Sequence, residues 1–460
     1  MITAQNKTGR HIAPGPRGSI LFGNLYDVRR DPLRFYLEAQ RHYGDVVRLR
    51  SFYPFTWHLI SHPDDIEHVL RGNYQNYPKG MLIKQVAALA GQGLVTSEGE
   101  LWLRQRRLAQ PAFHRQRLAA LAGTMAGAAE ALVERWHAPA MREQPIDVAV
   151  EMMRLTLQVV GQALFSTDIS GAADAVGRAM PVALEHIDYR MTHIKLLPDR
   201  FPTPRNRRFW QAKRTLDQVV YNTIEERRRA GTDQGDLLSM LLLARDEETG
   251  TGMSDTLLRD EVMTILVAGH ETTAVALSWT WYLLAQHPEV ERRLHAELDA
   301  VLGGRTPTFE DLPSLPYTKM VIEETMRLYP PAWGMVRQAR EADEIGGYHI
   351  PANSIIAIVQ YVTHRHQDFW DRPEEFDPER FTPERSASRP RFAYFPFGGG
   401  PRQCIGNNFA MMEAQLILAT VAQRYRLRLV PGHPVEPRPM LTLRPRYGIR
   451  MTVQGRGGSA

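Results

Sequence analysis

The sequence predicts a mainly α-helical fold with a small β-rich lobe, organised as a single large domain. Three observations predict it. Helical spacing of apolar residues dominates the chain, above all in a proline-free run from Asp255 to Gln286. Two short stretches near the N-terminus, Val46 to Arg50 and Trp57 to Ile60, read instead as a strand pair. No internal repeat, Gly/Ser linker or composition break divides the 460 residues.

Residues 1–13 read as a flexible polar leader, 14–453 as the domain and 454–460 as a disordered tail. The leader holds neither a secretion-signal core nor an apolar span, so the expected location is the cytoplasm, with no membrane anchor. The most apolar run, Val262 to Ala285, carries His270, Glu271, Thr272 and Thr273 at its middle, which suits a buried helix beside a site rather than a bilayer. Its 56 basic and 51 acidic residues leave a net charge of +5, too mild to argue for nucleic acid, and no nucleic-acid motif accompanies it.

Taken in order, Pro14-Gly15-Pro16 starts an extended entry segment, because each proline restricts itself and its predecessor. Leu33, Tyr36, Leu37 and Ala39 space a helix over Asp31 to Tyr43, and Gly44-Asp45 turns it into the strand pair. Met81 to Thr96 lacks a clean period and reads as a loop with a short helical piece, expected to vary with substrate. Trp102 and Arg106 share a helix face. Leu118 to Leu164 reads as successive scaffold helices. Met180 to Arg214 is interrupted by Pro181, Pro198, Pro202 and Pro204, with Ile194, Leu196, Leu197 and Phe201 among its apolar residues, and reads as a proline-punctuated connection. A helix over Tyr317 to Tyr329 stops at Pro330-Pro331, after which Ala332 to Val336 should lie extended. Ile355 to Val359 and Leu441 to Arg444 read as further strands of the small sheet, and Asn407 to Tyr425 as a helix with an apolar stripe.

Cys404 is the only cysteine, so an internal disulfide and a multi-thiolate zinc site are excluded. A buried apolar thiol, a nucleophile and a single thiolate ligand to a metal remain. The setting favours the ligand: three glycines after Phe397 let backbone approach a flat group, Gly406 leaves room on the other side, and the following helix N-terminus favours a thiolate.

The run Phe397-x-x-Gly400-x-Arg402-x-Cys404-x-Gly406 resembles the haem-binding loop of the cytochrome P450 monooxygenases, and three further motifs extend the resemblance from about Pro14 to Val453. It implies haem b, with Cys404 as the iron ligand and Phe397, Gly398 and Gly406 beside the ring. Trp102 and Arg106 then bind a propionate, with Arg337 and Arg402 as further propionate arginines, since an arginine fork matches a carboxylate. In Ala268-Gly269-His270-Glu271-Thr272-Thr273 the resemblance implies an oxygen-activating groove at Ala268 and Gly269, with Thr272 as the hydroxyl and Glu271 as the acid that deliver protons; mid-helix glycine and threonine are where a helix can open. His270 takes no role. Glu324 and Arg327, completed by Arg380, correspond to a buried structural ion-pair network. The Met180 to Arg214 connection resembles a mobile lid.

The implied activity is O2-dependent hydroxylation or epoxidation of an apolar small molecule such as a fatty acid or terpenoid. Electrons would come from a separate ferredoxin or flavodoxin with its reductase, docking on a basic face of Arg104, Arg107, Arg115, Arg117, Arg424, Arg426 and Arg428. A peroxygenase or isomerase would need Thr272 and Glu271 less, and a non-enzymatic haem-based sensor would need neither lid nor proton relay. Leu82, Ile83, Leu94, Val267, Ala332, Trp333 and Met335 are the apolar candidates for a substrate wall. Lys79 or Lys84 could meet a substrate carboxylate, but both read as surface lysines.

Overall fold

A computed structural model describes residues 11–19, 22–50, 56–166, 170–193, 201–231, 233–245 and 250–456. Most of the leader, residues 194–200 of the proline-rich connection and residues 457–460 of the tail lie outside the described residues. The architecture is mainly helical with small sheets, and the chain forms two compact units: Met1–Gln85 with Met326–Cys404, and Val86–Thr325 with Ile405–Ala460.

In the first unit, Val46–Arg50 pairs antiparallel with Thr56–Ile60, which runs parallel to Ile355–Ile358, which in turn pairs antiparallel with Met335–Gln338. Side chains alternate across a strand, so this sheet serves two cores. Val47, Leu49, Leu59 and Ala357 pack with Tyr36 and Ala39 on one face, while Val46, Ile60, Ile356 and Ile358 pack with Ile66, Val69, Phe392 and Phe395 on the other. That double burial is why Ile355-Ile356-Ala357-Ile358 is apolar throughout. The helix Pro32–Tyr43 begins where Asp31 accepts the Arg34 amide at 3.1 Å with proline in the first position, and it stops at Gly44, whose φ of 90° favours glycine.

Two polar hubs hold this unit. Arg327 is fully buried and donates to the carbonyls of His364 (2.9 Å), Pro373 (2.6 Å) and Glu375 (2.9 Å), with its guanidinium 5.0 Å over Trp370. Arg380 donates to the carbonyl of Arg372 at 2.9 Å, so both arginines pin the turn before Phe376. His364 is held neutral, at about 3, by burial and by the positive charges of Arg327 and Arg365; its Nε2 accepts the Phe395 amide at 3.1 Å. In the second hub, Asp45 lies 2.8 Å from His366 Nε2 and accepts from Ser61 Oγ at 2.7 Å. Burial alone would raise this carboxyl, but the contacts with His366, Ser61 and Gln40 outweigh it and lower it to about 2.

The second unit is built around the helix Asp255–Gln286, whose first turn is capped by Ser254 Oγ accepting from the Leu257 amide. Helices Arg115–Met141, Val148–Phe165, Ser170–Thr192, Pro204–Ala230, Pro288–Leu302 and Asn407–Arg424 belong to the same unit. Three expectations are corrected. Pro181 does not break the chain but lies inside Ser170–Thr192, because Val176, Ala179, Met180, Ala183, Leu184 and Ile187 bury a helical stripe around it. Leu441 to Arg444 does not join the small sheet: the strand is Leu443–Pro445 and pairs with Pro437–Pro439 in the second unit. Ala332 to Gly334 precede the strand that begins at Met335. No helix among the described residues is long and apolar enough to cross a membrane.

Arg327→Ala should cost about 3–5 kcal/mol, since the carbonyls of His364, Pro373 and Glu375 lose their shared, fully buried donor, and the midpoint of urea unfolding should fall accordingly. Because the folded pKa of Asp45 lies below its unfolded value of about 3.9, its contribution is complete above that value and is lost as pH falls towards 2. Acid unfolding of Asp45→Asn should therefore lack this component between about pH 4 and pH 2, with unchanged stability change across neutral pH.

Candidate functional site

The cysteine loop belongs to the first unit. Its ends are closed by the Cys404 amide donating to the Phe397 carbonyl at 2.9 Å, with inner bonds from Gly398 to Phe395 and from Gln403 to Gly400. Cys404 is exposed. The glycines differ in purpose from the expectation that all three admit a ligand. A Cβ on Gly400 (φ 66°) would stand 1.9 Å from the Leu70 carbonyl oxygen, and one on Gly399 would stand 2.3 Å from the Phe392 ring. These two are small because the protein's own chain crosses there. At Gly398 (φ 70°) the nearest atom is Met335 Cε at 3.4 Å, and in the second unit a Cβ on Gly406 would meet only Phe113 at 3.6 Å. Neither of these positions is crossed by backbone of the protein's own chain.

The long helix carries the second constellation. Between Leu258 and Leu284 it is buried on every side except at Ile265, Ala268, Gly269, Thr272 and Tyr282. Residues 265, 268, 269 and 272 follow helical spacing, so they form one open stripe half-way along the element. Thr272 sits on that stripe, and its hydroxyl donates to the Ala268 carbonyl at 2.8 Å. The helix itself stays continuous, so no break opens a groove. Gly269 is required instead by packing, its Cβ position lying 3.2 Å from Val160 of Val148–Phe165.

Glu271 faces away from the stripe and is buried. Its Oε1 accepts from Thr442 Oγ1 and from Arg444 Nε, the latter at 2.7 Å. These contacts anchor Glu271 to the strand Leu443–Pro445. His270 is buried with Nδ1 2.6 Å from the Leu266 carbonyl, and burial lowers its pKa, so it stays neutral. Glu413, unremarked in the sequence, is fully buried beside Thr273; burial raises its pKa well above the carboxylate range and the Thr273 hydroxyl offsets this only in part.

The remaining residues divide between the units. Trp102 (buried) and Arg106 (half-buried) lie one turn apart on Gly99–Ala109, opposite exposed Leu103 and Arg107, in the second unit. Arg337 and Arg402 are half-buried in the first. Glu324 is fully buried, one helical turn before Arg327 on Pro316–Leu328, whereas Glu323 is paired with Lys319 near the surface. Met335 packs on the core of Val46 and Ile60, Trp333 on that of Tyr36 and Leu59; Ala332 and Leu94 are half-buried and Val267 is buried. Lys79 is buried rather than on the surface, while Lys84 is exposed. Of the basic face, Arg428 is neutralised by a two-pronged pair with Glu291 (2.8 and 2.7 Å), Arg424 holds the Gly304 carbonyl and Arg104 those of Thr251 and Gly252. Ile265 and Arg444 were missed; Ile265 is findable at seven residues before Thr272, but Arg444 is tied to Glu271 only by tertiary structure.

Each unit carries groups of the kind a haem needs: the first has an exposed cysteine after small residues together with Arg337 and Arg402, and the second has Trp102 and Arg106, arginine forks and an indole being suited to carboxylates. The cytochrome P450 family model matches residues 13–453. The chain is 42% identical to cyclooctatin synthase of Streptomyces melanosporofaciens over 96% of each protein. It is 41% identical to cyclooctat-9-en-7-ol 5-monooxygenase of the same organism over 90% of this chain and 89% of that one, and 35% identical to pentalenene oxygenase of Streptomyces avermitilis over 94% and 95%. The crystal structure of the cytochrome P450DA heme domain superposes with a TM-score of 0.88 at 28% identity, covering 99% of both chains.

The reason given for Gly400 predicts that Gly400→Ala displaces the loop and lowers haem retention on gel filtration by about tenfold.

Proposed function

This chain belongs to the cytochrome P450 family, and on that footing we propose that it hydroxylates or epoxidises a cyclic terpenoid. It is a cytochrome P450 monooxygenase and its cofactor is haem. The observation that carries the substrate class is the match, over nearly the whole chain, to oxygenases named for cyclooctatin, cyclooctat-9-en-7-ol and pentalenene. The apolar candidates Leu94, Val267, Ala332 and Met335 are compatible with such a skeleton.

A haem held through a thiolate would supply the oxygen-activating chemistry, since thiolate donation favours O–O cleavage. In this reading Cys404 provides the thiolate, and Gly398 and Gly406 leave the space beside it. Trp102, Arg106, Arg337 and Arg402 hold the propionates, each carboxylate being compensated after burial. Thr272 moves a proton by rotating its hydroxyl off the Ala268 carbonyl, and Ala268 and Gly269 leave that hydroxyl uncovered. Glu271, held by Arg444, fixes the helix turn that presents Thr272 and is the acid of that proton delivery. Glu324, Arg327 and Arg380 keep the chain before the cysteine loop in place.

Electrons are proposed to come from a separate ferredoxin or flavodoxin with its reductase, in the cytoplasm. Arg107, Arg115 and Arg117 remain exposed on the second unit and suit an acidic partner.

The test is an optical titration of the purified ferric protein with cyclic terpenoids, fatty acids, steroids and macrolides. A thiolate-type spectrum should shift to high spin with the cyclic terpenoids, and Cys404→Ser should lose the thiolate spectrum. A shift with another class alone would overturn the substrate assignment, and an unaltered thiolate spectrum in Cys404→Ser would overturn the ligand.

A further inference from the structure

Two consecutive acids in the long helix, Asp260 and Glu261, are almost fully buried, at 6% and 1% exposure. Buried carboxylates are costly unless donors meet them, so their partners show what they are for. Asp260 Oδ2 accepts the backbone amide of Gln92 at 2.7 Å, and Glu261 Oε2 that of Leu94 at 3.1 Å. Asp260 Oδ1 takes Arg259 at 2.8 Å, and Arg259 also pairs with Asp217. These contacts all lie within the second unit.

Several other polar groups of the Ala87–Ser97 segment are met within it or by the neighbouring Gln105. The Gly91 amide donates to Ala87, that of Gly93 to Ala90, and those of Thr96 and Ser97 to Gly93. Thr96 Oγ1 donates to the carbonyls of Gly91 and Gly93, and Gln105 donates to that of Gln92 at 2.6 Å. The amides of Gln92 and Leu94 are thus supplied from the long helix. Close approach is built in on the segment's side: a Cβ on Gly91 (φ 57°) would fall 2.1 Å from the Asp260 carboxylate, and one on Gly93 2.1 Å from Thr264 Oγ1. Two attachments two residues apart fix the rotation of the segment as well as its distance, and so aim the Leu94 side chain.

We infer that Asp260 and Glu261 are positioning residues for substrate selection: they clamp Gly91–Leu94 to the long helix and set how Leu94 is presented beside the open stripe of Ile265, Ala268 and Thr272. This rests on the monooxygenase reading above and adds to it the device that shapes one wall for the ligand. Neither acid touches the reacting atoms in this reading; each acts through a backbone amide. A glutamine in place of Glu261 keeps an acceptor oxygen, whereas alanine removes it.

The test compares wild type, Glu261→Ala, Glu261→Gln and Asp260→Ala as haem-loaded full-length proteins. The probes are imidazole and a series of N-alkylimidazoles from methyl to octyl, which bind haem iron whatever the natural substrate is. In Glu261→Ala and Asp260→Ala the preference among alkyl chains should change by about tenfold, bare imidazole should bind within about twofold of wild type, and the Gln92 and Leu94 amides should lose hydrogen-exchange protection. Glu261→Gln should restore the alkyl preference and the amide protection. The inference is overturned if the alkyl preference is unchanged while the amides exchange faster, or if their exchange is unaltered in the alanine variants. A wild-type protein that reads the alkyl series but ignores cyclic terpenoids would sink the substrate class and leave the clamp standing.

Discussion

A guanidinium shut away from water decides much about the first unit. Arg327 cannot lose its charge, and burial deprives it of solvent, so the chain must bring acceptors to it. The carbonyls that do so come from His364, Pro373 and Glu375, residues with no regular secondary structure to organise them. The same His364 accepts the amide of Phe395, two residues before the loop that holds the cysteine. A buried charge is a poor source of stability but a strict source of geometry: any arrangement that leaves those five donors unmet is penalised by several times the net worth of the contacts themselves. The chain from His364 to Cys404, which contains no strand and only short helical turns, is thereby held in place.

The second unit solves a related problem with the opposite chemistry. Its long helix is apolar on most sides, yet three buried carboxylates punctuate it, Asp260, Glu261 and Glu271, and each is answered by a specific donor from outside the helix. Arg444 answers Glu271, while backbone amides answer the other two. The open stripe at Ile265, Ala268, Gly269 and Thr272 lies between these fastenings. Positions that must stay uncovered are flanked by positions that cannot shift.

Much of this was legible because local rules and tertiary packing agree. The bounds of the long helix follow from a Ser254 cap and the absence of proline, and the first strand pair from alternation that the two cores confirm. Pro181 misled because a helix can lose one hydrogen bond when a continuous buried stripe compensates it. The cysteine-loop glycines were visible, but not what they avoid: the Leu70 carbonyl and the Phe392 ring are brought there only by the fold. Asp260 and Gln92 are 168 residues apart, and Glu271 and Arg444 173, so no local pattern joins them. The order of the motifs is a sequence property; the donors that answer buried charges are a property of the folded chain.

The sheet of the first unit has a consequence for how the protein is made. Its parallel pair joins Thr56–Ile60 to Ile355–Ile358, so nearly three hundred residues separate two neighbouring strands. During synthesis the early hairpin emerges with one edge of its sheet unoccupied and waits while the helical middle of the chain is produced. Closing so large a loop is slow, but it costs only logarithmically more than closing a short one, and a middle segment that has already folded brings the ends within reach. The exposed strand edge is the vulnerable surface in that interval, and chaperone dependence or aggregation on overexpression would originate there rather than in the helices.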